Sequence, residues 1–463
     1  MKSVKKRKKS LFDIYVFIIL IAFEVLMSFT FLGYVHIPPI SVTFAYIPIL
    51  IAACVLDTPS ATMLGAVFGL ASLYKSTAFY AMQADVLFSP FMSGNPWGSL
   101  VLAVGSRTLF GYLAGVVYGF AKKQKRKRLC VGIVSAFSPF THGLIVMAAM
   151  AVCFPGGTGA FFHLHYLLVS NVVSAVICIV IVECVWRLYN SKAIGAVKSA
   201  VDRSKQIPYN EYGKRRILIA VFTVFVFSMT GVATLCFSDR MSNVLVVHSV
   251  AVSPEISFDL VQLQVQFMMA VLSINVISIV VLDLSYRYTA YKNFLGELDA
   301  VTGVMGRRIF LNCCEHAQKN FDRQVCSEGW FLFLDIDNFK RINDTFGHFA
   351  GDGVLREIAL VLKSIFYNCG IVGRMGGDEF AVIIDKKELS QIEIEKMLDE
   401  FLDKISGALQ TPYRVSCSIG ACRFSFPADV SHLMNKTDTL LYEAKQKGRA
   451  CYVTASFAMM NNL

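Results

Sequence analysis

The sequence predicts a multi-pass α-helical membrane domain followed by a soluble domain of α/β character. Three observations carry this. Hydrophobic residues make up 55% of the 463 positions, and they gather in long runs between residues 11 and 284, too apolar for a water-soluble core. Blocks of Lys and Arg abut the ends of those runs. Residues 285–463 have ordinary soluble composition, with strand-like apolar runs that end in carboxylates.

The run Leu11 to Leu32 exceeds a signal-peptide core and ends without a small-residue cleavage site, so it is expected as a retained span. Eight apolar runs follow one another at about 11–33, 40–56, 60–81, 98–121, 129–153, 163–186, 216–237 and 263–284. The second is near the lower limit of about 17 residues for a crossing. Basic blocks stand at Lys2 and Lys5–Lys9, at Lys122, Lys123 and Lys125–Arg128, and at Lys214–Arg216. With the N-terminus inside, eight crossings put all three blocks, Arg187, Arg287 and the C-terminal domain in the cytoplasm, the positive-inside pattern. The expected location is the bacterial cytoplasmic membrane, multi-pass, with both termini cytoplasmic. The formal charge of +11 belongs to those blocks, so the lipid bilayer rather than nucleic acid is the expected partner. The 13 cysteines show no CxxC pair or zinc spacing; Cys313 and Cys314 are expected on a helix in a reducing compartment.

Within the first six spans, Gly65/Gly69 and Gly111/Gly115/Gly119 recur at four-residue intervals, which lets helices pack closely. Charges inside spans default to function. Arg107 and Lys75 are the candidate contacts for an anionic small-molecule ligand; the alternative pairs Arg107 with Glu24 and lets Lys75 snorkel. His163 and His165 fit an interfacial position as well as a metal. The segment between the last two spans, about Ser238 to Gln262, is too short for a sensor domain. Leu284, Tyr288, Tyr291, Leu295 and Leu298 keep a 4-3-4-3 spacing, which suggests a parallel two-helix connector.

The C-terminal domain carries the chemistry. Arg374-Met375-Gly376-Gly377-Asp378-Glu379-Phe380 sets two glycines against two carboxylates at the mouth of an apolar strand. Glycines permit close backbone approach to a nucleotide, and adjacent carboxylates make sense around a hard divalent cation and a polyphosphate. Upstream, Trp330 to Asp337 is an apolar strand ending in Asp335 and Asp337, followed by Lys340, Asn343, His348 and Asp352. Downstream, Lys445 and Arg449 close a helix with cations suited to phosphate oxygens.

Residues 299–455 resemble a GGDEF domain, the diguanylate cyclase family. Asp299-Ala300-Val301-Thr302-Gly303-Val304-Met305-Gly306-Arg307-Arg308 matches that family's opening motif, with Gly306 in place of Asn. The resemblance implies an α+β fold of the nucleotidyl-cyclase or polymerase-palm kind, with a central, mainly antiparallel sheet. It implies condensation of two GTP into cyclic di-GMP with release of two pyrophosphates, by a homodimer formed through this domain and the connector. By the family's pattern Asp335, the Ile336 carbonyl, Asp378 and Glu379 hold two Mg²⁺ ions per GTP site, with Mn²⁺ as an alternative. Asp378 or Glu379 deprotonates the attacking hydroxyl. Asn343 and Asp352 read guanine. Lys340, His348, Gly376, Gly377, Arg374, Lys445 and Arg449 bind the rest of the substrate. Active members with a product-inhibition site carry Arg-x-x-Asp where this chain has Tyr367-Asn368-Cys369-Gly370, so that inhibition is expected to be absent.

Residues 1–190 are similar in arrangement to the six-helix S component of energy-coupling-factor vitamin transporters, although the first span lacks the Ala-x-x-x-Ala pair with which that family docks its partner. The expected organisation is a six-span sensor-like domain at 1–190, a cytoplasmic linker at 191–214, a two-span hairpin at 215–284, a connector helix at 285–298 and the GGDEF domain at 299–455. The competing readings are a catalytically silent GTP receptor and a small-molecule transporter subunit with a regulatory domain.

Overall fold

The computed structural model describes residues 10–37, 40–79, 83–155, 164–204, 212–248, 253–319, 328–385, 388–408 and 414–457. The first basic block and His163 lie outside the described residues, as do the side chains of His165 and Lys214–Arg216. The chain forms two compact units, 1–205 with 212–289 and 206–211 with 290–463.

Unit 1 is helical. Helix α1 (Leu11–Phe29) leads into a hairpin of β1 (Tyr34–Ile37) and β2 (Ile40–Thr43), then α2 (Ile47–Val55), α3 (Thr58–Lys75), α4 (Gln83–Val86), α5 (Pro96–Leu100) and, across a π turn at Val101–Gly105, α6 (Ser106–Ala121). There follow α7 (Lys127–Cys153), α8 (Leu164–Tyr189), α9 (Lys192–Arg203), α10 (Tyr212–Val247) and α11 (Pro254–Gly296). Among the described residues, 6 helices are long and apolar enough to cross a membrane: Leu11–Phe29, Pro96–Ala121, Lys127–Cys153, Asn171–Tyr189, Ile219–Leu245 and Pro254–Gly296.

Four expectations are corrected. The run 40–56 is not one spanning helix but a strand and a helix of 9 residues, about 13 Å long at 1.5 Å per residue, against a hydrocarbon core of about 30 Å. Its residues Ile47 to Cys54 are all buried, so their apolarity serves protein packing. The outer segment at about Ser238–Gln262, expected between helices ending near 237 and starting near 263, is helical over most of its described residues, because α10 runs to Val247 and α11 starts at Pro254. The linker contains α9, docked on α1 where Lys198 Nζ lies 2.6 Å from Asp13 and Ser10 Oγ donates to Asp202 at 2.7 Å. Leu298 lies past the end of α11, in an isolated bridge with Met305, so the connector's last heptad position is not helical.

The glycine stripe has a direct cause. A Cβ on Gly65 would sit 2.3 Å from the Arg107 carbonyl oxygen, and one on Gly111 would sit 2.4 Å from that of Ala61. Helices α3 and α6 therefore meet backbone to backbone, antiparallel, with Gly69 against Val104 and Gly115 against Thr58. Gly119 does not belong to the seam, for a Cβ there meets nothing within 4 Å.

Unit 2 contains β3 (Met305–Gly306), α12 (Arg307–Lys319), β4 (Glu328–Ile336), α13 (Phe339–Phe346), α14 (His348–Phe366), β5 (Gly370–Gly376), β6 (Glu379–Ile384), α15 (Gln391–Ala408), β7 (Cys417–Ser425), α16 (Val430–Gln446) and β8 (Tyr452–Phe457). Its sheet has the order β3-β5-β6-β4-β7-β8. The β5–β6, β6–β4 and β4–β7 pairs are antiparallel and the outer pairs parallel, the mixed, mainly antiparallel sheet expected. Alternation along β4 splits the core: Trp330, Leu332 and Leu334 pack with α14 and α15, and Phe331 and Phe333 with α12 and α16. Cys313 and Cys314 are buried on α12.

Gly111→Ala is expected to lower the thermal stability of the full-length protein by about 1–3 kcal/mol through overpacking. Gly119→Ala should be neutral or stabilising by a few tenths to about 1 kcal/mol, since it only improves helix propensity. Equal effects in detergent-solubilised melts would refute the seam.

Candidate active site

The site forms where β4 and the β5–β6 hairpin end together. The hairpin carries a register shift between Arg374 and Gly376, and Gly377 takes φ 48°, a left-handed conformation that glycine adopts without steric cost. A Cβ on Gly376 or Gly377 would meet nothing within 4 Å, so this backbone borders open space that a phosphate or sugar can enter.

Antiparallel pairing sets Asp335 of β4 directly opposite Glu379 of β6. Like charges placed so oppose each other across the ladder. Asp335 is mostly buried and forms an ion pair with Lys445 Nζ at 2.9 Å. Burial pushes the Asp335 carboxyl above its ordinary value, Lys445 opposes this, and Asp378 and Asp337 reinforce it. Burial likewise raises Glu379, helped by the charges of Asp335, Asp378 and Asp438 and opposed by Lys445. Acid charge outweighs the one facing cation. Among the described residues no three His, Cys, Asp or Glu side chains come together in a group that could hold a metal ion by themselves. An open acidic edge of oxygen donors suits a hard divalent cation that takes its remaining ligands from water and substrate phosphates.

Arg374, expected among the substrate-binding groups, has its guanidinium engaged elsewhere. It donates to Asp299 Oδ1 and Oδ2 at 3.0 and 3.1 Å, and to the Gly377 carbonyl from Nε and Nη2 at 3.0 and 2.6 Å. Asp299 also accepts from the backbone N and hydroxyl of Thr302 at 2.8 and 2.7 Å. Burial works against the Asp299 carboxylate, yet the Thr302 bonds and the Arg374 guanidinium hold its carboxyl below the ordinary range. One arginine thus ties the glycine turn to the opening motif.

Asn343 on α13 packs against Gly351 of α14: a Cβ there would lie 2.0 Å from Asn343 Oδ1. The next residue, Asp352, lies 3.9 Å from Arg356, a weak and half-exposed pair. Lys340 and His348 are exposed. Arg449 is exposed at φ 66°, in the turn after α16. Sequence reasoning gave Asp337 no role. It is 5% exposed and accepts from the Ser416 and Ser418 hydroxyls, each at 2.7 Å, and from the Ala450 backbone N at 3.0 Å. It anchors the turn that carries Arg449. The Asp-x-Asp spacing was the visible signal, but its partners lie far along the chain.

In unit 1, Arg107 and Lys75 have different surroundings. Arg107 is buried, donates from Nη1 to the Leu102 and Ala103 carbonyls at 3.1 and 3.0 Å, and lies over the rings of Phe68 and Phe88. Lys75 Nζ lies 4.3 Å from the centre of the Tyr34 ring.

A mixed palm-like sheet with an acidic edge beside an open glycine turn defines a nucleotide-handling domain. Residues 297–451 match the family model described as "Diguanylate cyclase, GGDEF domain", so the C-terminal third of the chain is similar to a GGDEF domain. Three curated relatives are similar to the same region. Diguanylate cyclase DgcS of Shewanella oneidensis is 34% identical, covering 33% of this chain and 51% of its own length. Probable diguanylate cyclase DgcI of Escherichia coli is 36% identical, covering 36% and 35%. Cyclic di-GMP phosphodiesterase PdeR of Escherichia coli is 32% identical, covering 34% and 23%. The chain thus spans about half or less of the length of these relatives.

Two outcomes follow. Arg374→Ala should destabilise the domain by about 1–3 kcal/mol, because it leaves a carboxylate without its charged partner. Since the Asp299 carboxyl is lowered in the folded state, the clamp's contribution is present above about pH 4 and lost as pH falls below it; a stability difference that persists at lower pH contradicts the clamp. For Glu379 the sign reverses. Its raised carboxyl costs stability as pH rises through and above about 4.3. Glu379→Gln should therefore melt higher than wild type at neutral pH without divalent cation, and the cation should narrow the gap. A lower melting temperature in the cation-free variant would show the cluster is not strained.

Proposed function

We propose that the chain is a membrane-bound diguanylate cyclase, which condenses two GTP to cyclic di-GMP and two pyrophosphates under control of a signal received in unit 1. The observation that supports this most is the acidic edge of Asp335, Asp378 and Glu379 beside the open Gly376-Gly377 turn. The reaction is attack by a 3′-hydroxyl on the α-phosphorus of a second GTP; the new P–O bond forms as the bond to pyrophosphate breaks. Divalent cations held by Asp335, Asp378, Glu379 and the Ile336 carbonyl would neutralise charge on the phosphates. Asp378 or Glu379 accepts the hydroxyl proton; burial and the neighbouring acids raise the Glu379 carboxyl, which suits that role. Lys445, now paired with Asp335, turns to phosphate oxygens once the acid gains another partner. Arg449 approaches phosphate from the turn that Asp337 holds. Asp352 accepts from guanine N1–H and N2–H₂, which adenine does not offer in that pattern, and Asn343, Lys340 and His348 complete the base and ribose contacts. Each site serves one GTP, so two domains must meet, and the helical part of the connector within α11 suits a homodimer.

For the membrane, α2 and α3 join through Asp57, which caps α3 by accepting from Ser60 N at 3.0 Å, and Lys122 Nζ donates to the Ala53 carbonyl near the end of α2 at 3.1 Å. We take the pair as adding an even number of crossings. Lys122–Arg128, Arg187, Arg287 and the GGDEF domain then stay on one side, the cytoplasmic one. A small ligand in unit 1 is supported by buried polar atoms without a partner among the described residues: Arg107 Nε, Glu24 Oε2 and His142 Nε2. His142 lies tilted 5.0 Å from Tyr46, edge-on 5.1 Å from Phe110 and stacked 6.0 Å from Phe68, so an aromatic anion suits the cluster.

The likeness to PdeR, a cyclic di-GMP phosphodiesterase by name, makes one rival worth testing: a GGDEF domain that binds GTP and makes no product. The test is purified full-length protein in nanodiscs with GTP and Mg²⁺, the product identified by mass. Cyclic di-GMP from wild type, and a loss of at least about 100-fold in Asp335→Asn, are expected for removal of a group that organises transition-state charge. A dimer that binds GTP without forming dinucleotide overturns the cyclase reading. Added cyclic di-GMP should compete only at the active site, because Tyr367 and Gly370 supply neither guanidinium nor carboxylate; noncompetitive inhibition contradicts that.

A further inference from the structure

A groove of about 790 Å³ opens between α7 and α8. Its mouth is formed by Lys125, Arg126, Lys127 and Arg128, at the N-terminal end of α7. Its floor is apolar and includes Gly132, Ala136 and Ile179, with Trp186 also in the lining. The two helices run antiparallel here: Arg128 pairs with Glu183, near the C-terminal end of α8. Both helices are long and apolar enough to cross a membrane, so the basic mouth falls at headgroup level and the floor extends from it toward the hydrocarbon. From Lys127 to Ala136 that is about 13 Å along α7.

We infer that this groove binds one anionic phospholipid, its phosphate on the Lys125–Arg128 cluster and an acyl chain along Gly132 and Ala136. Charge complementarity selects the occupant. Glu183 is the one acid in the lining, and it is already engaged by Arg128 and by Arg187 at 2.8 Å. The remaining positive charge therefore faces an anion, and the α7 N-terminus adds to its pull. Basic pockets between membrane helices on the cytoplasmic side recognise such headgroups, and an interfacial Trp suits the same depth. The apolar floor is what a soluble anion could not use. Gly132 leaves the floor open, since a Cβ on it meets nothing within 4 Å. The inference rests on unit 1 lying in a bilayer and deepens that reading: the lipid would brace α7 against α8.

Full-length protein is reconstituted in vesicles of phosphatidylcholine alone or with phosphatidylglycerol, and flotation is scored first. Protein that floats with neither overturns the membrane reading and this inference with it. Floated protein is then extracted in mild detergent and its retained lipid counted by native mass spectrometry. Retention of phosphatidylglycerol over phosphatidylcholine is expected. Gly132→Leu fills the groove while raising helix propensity, and should abolish that preference with GTP binding by the C-terminal domain unchanged. Arg126→Gln with Lys127→Gln should weaken it by about tenfold or more, at about 1 kcal/mol per basic residue near the surface. Undiminished retention in both variants, equal retention of the neutral lipid, or displacement of the lipid by inorganic phosphate alone overturns the inference.

Discussion

Everything at the catalytic end depends on a repulsion that the sheet enforces. Asp335 and Glu379 are cross-strand partners, and pairing of the β4 and β6 backbones fixes them there irrespective of their charges. Apolar residues on both faces of β4 hold this register, because a one-residue slip would turn Phe331 and Phe333 to the wrong side. The core thus stabilises a local arrangement that the acids alone would not adopt. A carboxylate cluster that costs stability and faces open space is what a site for cation and polyphosphate requires.

The same logic explains the surrounding cations and buried acids. Lys445 offsets part of the repulsion while no substrate is bound. Asp337, with three donors on its carboxylate, acts structurally on the turn that carries Arg449. Arg374 binds the opening motif to the glycine turn, so Asp299, three residues past the end of α11, is tied to the turn beside the acidic edge through one side chain.

Much of this was legible from sequence, for identifiable reasons. The glycine turn, the strand-end acids and the closing helix were readable because each is a local pattern with a local cause. The runs of α1, α6, α7, α8, α10 and α11, long and apolar enough to cross a membrane, were readable by length and apolarity. The role of α2 was not, since an apolar run looks the same whether it faces lipid or protein. Nor was that of Arg374, whose partner Asp299 is 75 positions away, or that of Asp337. Gly119 continued a four-residue interval that the seam itself did not use. Helical spacing carried the connector through Leu298, but spacing alone does not show where α11 stops.

The acidic edge carries raised carboxyls on Asp335 and Glu379 that a bound cation would relieve. Calorimetric titration of full-length protein with Mg²⁺ and a non-hydrolysable GTP analogue, at a pH near 5 and in buffers of different ionisation enthalpy, measures the protons released on binding. Raised carboxyls on Asp335 and Glu379 predict net proton release in wild type and less in Glu379→Gln. Binding with no proton release in wild type, or with equal release in the variant, would contradict the account.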